Sequence, residues 1–382
     1  MPNPLTIYFV AGETSGDNHG AALMHSLRGL RPDLRFIGRG GPRMREAARD
    51  DFLNWSDAAG IVGLWEVIKH YHYFREQFRQ TLREVAAAKP DAMILIDYPG
   101  FNLRLAKALR RQAPAAKIIY YISPQVWAWN RSRIPKMARW LDLMLCIFPF
   151  ESELYEKSGL RAVFVGHPMI ESLERKRAEI RREPNLVGLF PGSRQREVRK
   201  IFPVMVKMIQ KLRRDRPELR FEIAAVSETL AATIQQMLDG SKVSSDVAEI
   251  VIGQSALVMQ RSFVGVVASG TATLEAAYYR LPFILIYKVS WMTYLAGRLL
   301  IRVKYLGMPN VLADREIVPE FIQHRARAGV LAKVVASLSS ESERRQRMIS
   351  ELDESVARLG GRGASERAAR AVLHLLCDEA AT

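Results

Sequence analysis

Cysteine is scarce in this 382-residue chain: there are two, Cys146 and Cys377, each in an apolar setting and without Cys-x-x-Cys spacing. A disulfide-stapled scaffold and a cysteine zinc centre are therefore excluded, and two buried thiols in a reducing compartment are expected. Long apolar runs are missing too. The best candidate, residues 291–308, is interrupted by Arg298, Arg302 and Lys304 and falls short of the ~18 apolar residues that cross a bilayer. The first residues carry no positive leader and pass directly into a strand-like run, so a cytoplasmic protein is expected. No Gly-x-Gly-x-x-Gly, no Gly-x-x-x-x-Gly-Lys, no Asp-x-Asp and no His-Glu-x-x-His occurs. The usual dinucleotide and P-loop cradles, and the carboxylate pair that brings a divalent ion to a nucleotide sugar, are thus not encoded; neither metal nor cofactor is expected. Acidic residues are in the minority, 40 against 56 Lys plus Arg. The resulting charge of +16 points toward phosphates, nucleic acid or an anionic membrane without choosing among them.

What remains is ordinary globular material, 48% hydrophobic and 25% charged, long enough for two domains. Short β-rich runs at 5–11, 34–37, 91–98, 117–123, 143–148 and 162–165 alternate with helical patterns at about 64–88, 103–111 and 152–158. Such βα alternation predicts a parallel, doubly wound sheet. Residues 174–184 are charge-dense and place a boundary, after which strands at 186–190, 221–226, 250–252, 263–268 and 282–288 repeat the pattern. The division expected is a Rossmann-like domain at 1–173, a second at 185–338, and C-terminal helices at 339–382, interrupted by Gly360, Gly361 and Gly363, that pack back on the first domain or on a partner subunit. Two α/β domains facing across a cleft would bind ligands at the carboxyl ends of their strands.

Several motifs sit at those strand ends. Gly12-Glu13-Thr14-Ser15-Gly16-Asp17 opens a helix with residues small enough for close ligand approach at Ser15, Gly16 and Asp17, or else forms a tight turn capped by Ser15 or Asp17. Asp97, in Ile96-Asp97-Tyr98-Pro99-Gly100, stands where a general base belongs, although an aspartate that merely supports a Pro-Gly turn has the same pattern. The aromatic run Val126-Trp127-Ala128-Trp129, followed by Arg131 and Arg133, fits sugar or acyl binding and fits packing equally. His167 either faces the cleft or bonds backbone at a hinge. In the second half, Gly192-Ser193-Arg194 and Ser269-Gly270-Thr271-Ala272-Thr273 are two small-residue loops between strand and helix, suited to a diphosphate, with Glu275 one turn on for ribose hydroxyls. Trp65, Ile68, Tyr71 and Phe74 form an aromatic side of a basic helix that suits interfacial membrane contact, as does 291–304; a core helix has the same composition.

Taken in order, AGETSGD, GGPRM (Gly40 to Met44), IDYPGFN, SPQVWAW, FPFE (Phe148 to Glu151), VGHP, PGSR, SGTATLE and Pro309-Asn310 closely resemble the lipid-A-disaccharide synthase family over roughly residues 5–322. The resemblance implies a metal-independent, inverting GT-B glycosyltransferase. It would move 2,3-diacylglucosamine from UDP-2,3-diacylglucosamine to the 6-hydroxyl of 2,3-diacylglucosamine 1-phosphate (lipid X). Asp97 matches the family's candidate base, Arg194 its PGSR arginine, Ser269, Gly270, Thr271 and Glu275 its nucleotide loop, and Asn310 its Pro-Asn asparagine. The implied setting is the anionic inner face of the inner membrane, peripherally bound, without nucleic acid; a homodimer made by C-terminal exchange is a state the family allows. A UDP-sugar 2-epimerase, a glycosyltransferase with a polyprenyl-linked acceptor and a basic nucleic-acid scaffold are the rival readings.

Overall fold

A computed structural model describes residues 4–49, 52–55, 71–241, 243–291, 294, 295, 297 and 303–377. The chain forms two compact units, one of residues 1–168 with 359–382 and one of 169–358.

The first unit holds seven parallel strands: β1 (Thr6–Ala11), β2 (Arg35–Gly40), β3 (Phe52–Asn54), β4 (Ala92–Ile96), β5 (Lys117–Tyr121), β6 (Leu143–Cys146) and β7 (Ala162–Phe164). Their order is β3-β2-β1-β4-β5-β6-β7, so the winding direction reverses between β1 and β4. Every residue of β4 is buried, as expected of a central strand covered on both faces. The second unit repeats the plan with β8 (Glu183–Phe190), β9 (Arg220–Ala225), β10 (Ala248–Ile252), β11 (Ser262–Ala268), β12 (Phe283–Tyr287) and β13 (Glu320–Ile322), all parallel, ordered β10-β9-β8-β11-β12-β13. Here the reversal falls between β8 and β11. Among the strands of the described residues, β3 and β13, edge strands of three residues each, are those that sequence patterning does not pick out.

The expected boundaries shift. The helix Met169–Arg175 and the charge-dense residues after it pack with the second unit, because Leu173 lies in its core and Tyr279 Oη donates to the Leu173 carbonyl (3.0 Å). The two C-terminal helices part company. Glu343–Ala357 packs on the second unit against the helices Ala272–Tyr278 and Met308–Ala313, whereas Ala364–Cys377 packs on Thr14–Leu30 of the first. The break between them is made by Gly360 and Gly363, both at positive φ (76° and 86°), where a side chain would be strained. Cys146 is buried as expected; Cys377 is exposed, since it falls in the last turn, off the Ala368, Val372 and Leu375 face that packs.

The helix Tyr71–Ala88 corrects part of the membrane reading. Phe74, Phe78 and Leu82 pack against the first unit's core beside buried Val85, so Phe74 belongs to the side that faces the sheet. The same helix is tied to the sheet by Glu84, which accepts from Tyr8 Oη (2.5 Å) and pairs with the fully buried Arg39. Trp65 and Ile68 lie outside the described residues, and Tyr71 is described only by its backbone. Among the described residues no helix is long and apolar enough to cross a membrane.

Candidate active site

In an open, doubly wound sheet, ligands sit beyond the carboxyl ends of the strands where the winding reverses. In the first unit those ends are Gly12-Glu13 after β1 and Asp97-Tyr98 after β4. Asp97 and Tyr98 are both at positive φ (46° and 50°), a conformation that aspartate tolerates better than most residues and that is costly for Tyr98. Three bonds hold Asp97's backbone in it. Its N–H donates to the Tyr121 carbonyl (2.9 Å), and its carbonyl accepts from Tyr120 Oη (2.5 Å) and Asn102 Nδ2 (2.8 Å). Gly12 makes room for the turn, because a Cβ there would lie 2.5 Å from the Tyr98 ring. Burial, reinforced by the nearby Glu13 carboxylate, raises the Asp97 pKa from its ordinary value, against a bond from the Tyr98 N–H. The result is a half-buried carboxylate of increased basicity on a braced turn. Tyr120 and Asn102 were not picked out from sequence, because their role is to hold backbone.

The other first-unit candidates separate. Ser15 is exposed, and Gly16 is buried against the Ala11 side chain. Asp17 does not face a ligand: Oδ1 accepts from the N–H groups of Gly41 (3.0 Å) and Met44 (2.9 Å), and Oδ2 from that of Arg43 (3.1 Å). It caps the helix Pro42–Ala48, meeting donors that the first turn leaves open, with its charge at the favourable end of the dipole. Gly41 must be glycine for this, since a Cβ would lie 2.4 Å from the Asp17 carboxyl carbon. Asp17→Ala is expected to cost about 1–2 kcal/mol of stability, read by denaturant unfolding; unchanged stability with lost activity would return Asp17 to the substrate.

His167 follows β7 and its N–H donates to the Leu359 carbonyl (2.8 Å), while its ring lies 5.2 Å from that of Phe148. Burial and the neighbouring His19 push its pKa down to about 4, so it is a neutral imidazole near pH 7 and no cationic phosphate ligand. SPQVWAW and FPFE prove to be one assembly. Glu151 is fully buried, accepts from Trp127 Nε1 (2.8 Å) and from the N–H groups of Phe148 (3.1 Å) and Ile147 (3.3 Å), and burial raises its pKa to about 7. Around it Trp127 and Phe148 both pack on Phe150.

In the second unit the switch-point ends are Pro191-Gly192-Ser193 after β8 and Ser269-Gly270-Thr271 after β11. Gly192 (φ 116°) and Gly270 (φ 144°) take conformations that few other residues adopt. Ser193, Gly270 and Thr271 are exposed, and Arg194, 71% exposed, has Glu197 at 3.7 Å. Glu275 is half-buried, and burial raises its pKa although Lys176 opposes this. Two nucleotide assignments are corrected. Thr273 is buried and donates its hydroxyl back to the Gly270 carbonyl (2.8 Å), shaping the loop from behind. Asn310 is fully buried with every side-chain bond used: Nδ2 donates to the Val318 carbonyl (2.8 Å) and to Glu320 (2.9 Å), and Oδ1 accepts from the Ile317 (2.8 Å) and Val318 (2.9 Å) N–H groups. Glu320, unnoticed in the sequence, also accepts from the N–H groups of Leu306 (3.0 Å) and Gly307 (2.8 Å). Asn310→Ala is expected to cost about 1–3 kcal/mol in thermal unfolding, the penalty of stranding buried partners.

Two α/β units, each built on a parallel sheet, one with a braced carboxylate at its switch point and the other with two small-residue loops, make up a protein of the GT-B fold. The fold matches solved structures at low identity: the Staphylococcus aureus MnaA–UDP co-structure (TM-score 0.64, 11% identical, covering 97% of each chain) and CalG4, the calicheamicin glycosyltransferase (TM-score 0.56, 11% identical, 98% of this chain and 99% of that one). The lipid-A-disaccharide synthetase family model matches residues 7–374, and the chain belongs to that family. It is 39% identical over 379 residues to the lipid-A-disaccharide synthase of Geobacter sulfurreducens, covering 97% of both chains. It is 37% identical to that of Myxococcus xanthus, covering 98% of this chain and 99% of the relative.

Proposed function

We infer that this chain joins UDP-2,3-diacylglucosamine to lipid X, forming the β(1→6) disaccharide 1-phosphate and releasing UDP. Family membership over nearly its whole length carries the reaction. The observation that supports the chemistry is the Asp97 turn, where three hydrogen bonds fix the backbone and a carboxylate of raised basicity stands at the end of β4. In this reading Asp97 takes the proton of the acceptor 6-hydroxyl as that oxygen bonds to the anomeric carbon. The backbone of half-buried Gly192 and of exposed Ser193, Gly270 and Thr271 receives the diphosphate, Arg194 meets the charge that grows on departing UDP, and Glu275 accepts from ribose hydroxyls. Ser15, Gly16 and neutral His167 are assigned to the acceptor sugar.

Both substrates carry two acyl chains and phosphate, so the working position is the anionic inner face of the membrane, peripherally held. The excess of 16 positive charges supports this, as do the large exposed hydrophobic side chains Trp291 and Leu295. A homodimer would follow if Ala364–Cys377 packed on Thr14–Leu30 of a second copy instead of its own. Incubating the purified chain with UDP-2,3-diacylglucosamine and lipid X and weighing the product by mass spectrometry tests the reading directly. Absence of the disaccharide, with turnover of UDP-N-acetylglucosamine instead, would replace it with a 2-epimerase.

A further inference from the structure

Away from the nucleotide loops, the second unit contains a cavity of 420 Å³ lined by four arginines, Arg177, Arg182, Arg280 and Arg345, together with Tyr278 and the carboxylate of Glu341. It lies at the amino end of the sheet. Arg345 donates to the carbonyl of Phe263, near the start of β11, whereas Ser269 and Gly270 follow that strand's far end, so roughly 20 Å of strand separates the cavity from the nucleotide loop.

The charge in this cavity is poorly matched. Arg182 makes its bonds to the backbone carbonyls of Met259, Ser262 and Tyr279, and Arg345 makes its own to those of Phe263 (2.6 Å) and Leu338 (3.3 Å). Carbonyls satisfy the donors but neutralise little charge. The side chain of Arg345 is 2% exposed, stacked 3.5 Å above the Phe263 ring, and its Nε has no hydrogen-bond partner; Glu341 stands 3.6 Å off. Burial together with the Arg345 and Arg280 charges pushes the Arg182 pKa down to about 10. A cation kept in a buried position beside like charges is under repulsion that an anion would relieve.

The segment that forms one wall is fastened rather than loose. Buried Gln260 accepts from the Ala178 N–H (2.8 Å) and donates to the Lys176 carbonyl (3.0 Å), and Tyr278 Oη donates to Glu174 (3.0 Å). Arg177 and Arg280 are exposed at the surface end, with Arg280 also paired to Asp353 (2.9 Å), while Arg182 and Arg345 lie deeper. Guanidinium groups at two depths suit a compact oxyanion with several acceptors, which they grip bidentately.

We propose that this cavity is a second anion site, separate from the nucleotide loops, that takes a phosphate or diphosphate group. That group is supplied either by a small soluble phosphate or by the headgroup of a membrane lipid. Occupation ties the segment Arg177–Arg182 to the helix Glu343–Ala357, so it stiffens the second unit behind its nucleotide loops.

The probe is sodium pyrophosphate, compared with sodium chloride at equal ionic strength and with UDP present to occupy the nucleotide loops. Unfolding temperature is measured for the intact chain, for Arg177→Gln/Arg280→Gln, and for the charge-matched control Lys207→Gln/Lys211→Gln. The two arginines are surface-exposed, and retention of the UDP-induced shift shows that the variant is folded. Pyrophosphate well above its dissociation constant is expected to raise the transition by about 2–4 °C in the parent and control, and not in the arginine variant. Sedimentation with phosphatidylcholine vesicles, with and without phosphatidic acid, separates the sources. Binding weakened only in the arginine variant identifies the lipid headgroup, and equal vesicle binding in all three identifies a soluble phosphate. An equal pyrophosphate shift in the arginine variant overturns the site. So does a parent chain with neither a pyrophosphate shift nor arginine-dependent vesicle binding, which leaves these arginines as braces for backbone carbonyls.

Discussion

Asp97→Asn is expected to lower turnover by about 10² to 10⁴, the usual worth of a general base, with little change in UDP affinity. A primary alcohol is a poor nucleophile near neutral pH, and asparagine keeps the size and hydrogen-bonding reach of the aspartate while removing its basicity. The turn should survive, because the bonds that fix it use the backbone of residue 97 rather than its side chain. The pH profile gives an independent check. Burial and Glu13 raise the Asp97 pKa, so the base is lost to protonation above the ordinary carboxylate range, and the acid limb of kcat/KM lies correspondingly high. Relieving the Glu13 charge with Glu13→Gln should move that limb down. A near-parental turnover number for Asp97→Asn at saturating substrates would return Asp97 to turn support and make His19 or His167 the next base to test.

The second large effect concerns UDP. Arg194→Ala and Glu275→Ala should each weaken UDP by roughly 10- to 150-fold, the range for a lost charge-assisted hydrogen bond of about 1.5–3 kcal/mol, and calorimetry measures it. Arg194 is exposed with a weak partner at 3.7 Å, so its loss should leave stability nearly unchanged. Glu275 is half-buried with a raised pKa, so UDP affinity should fall as pH drops through that raised value. Unchanged affinity in both variants would remove the nucleotide assignment. An effect confined to Arg194 would keep the diphosphate site and leave the ribose contact to another group.

The two small-residue loops of the second unit and the Asp97 turn were legible in the chain for local reasons. Each is a short apolar strand followed at once by small or turn-forming residues, and strand ends are where an open α/β sheet places its ligands. Within those motifs the sequence did not distinguish residues that face outward from residues that build the loop. Arg194 and Thr271 are exposed, whereas Thr273, two positions on, turns its hydroxyl back to Gly270.

What lay beyond the sequence shares one physical cause, hydrogen-bond partners brought together by folding. Asp17 reads as a ligand contact at a helix start until Gly41, Arg43 and Met44, 24 to 27 residues away, supply three N–H donors to it. Asn310 and Glu320 became one lock only when a turn set them side by side, and Gln260 and Arg182 hold chain 77 to 97 residues distant. The alternation of strands and helices, the chemistry of the loops and the family were set by the order of residue types, because backbone preference and apolar periodicity act over a few positions. Which polar side chain is free for a ligand and which is used to brace the backbone was decided by tertiary structure, because a buried donor or acceptor must be paired by whatever the fold places within about 3 Å of it.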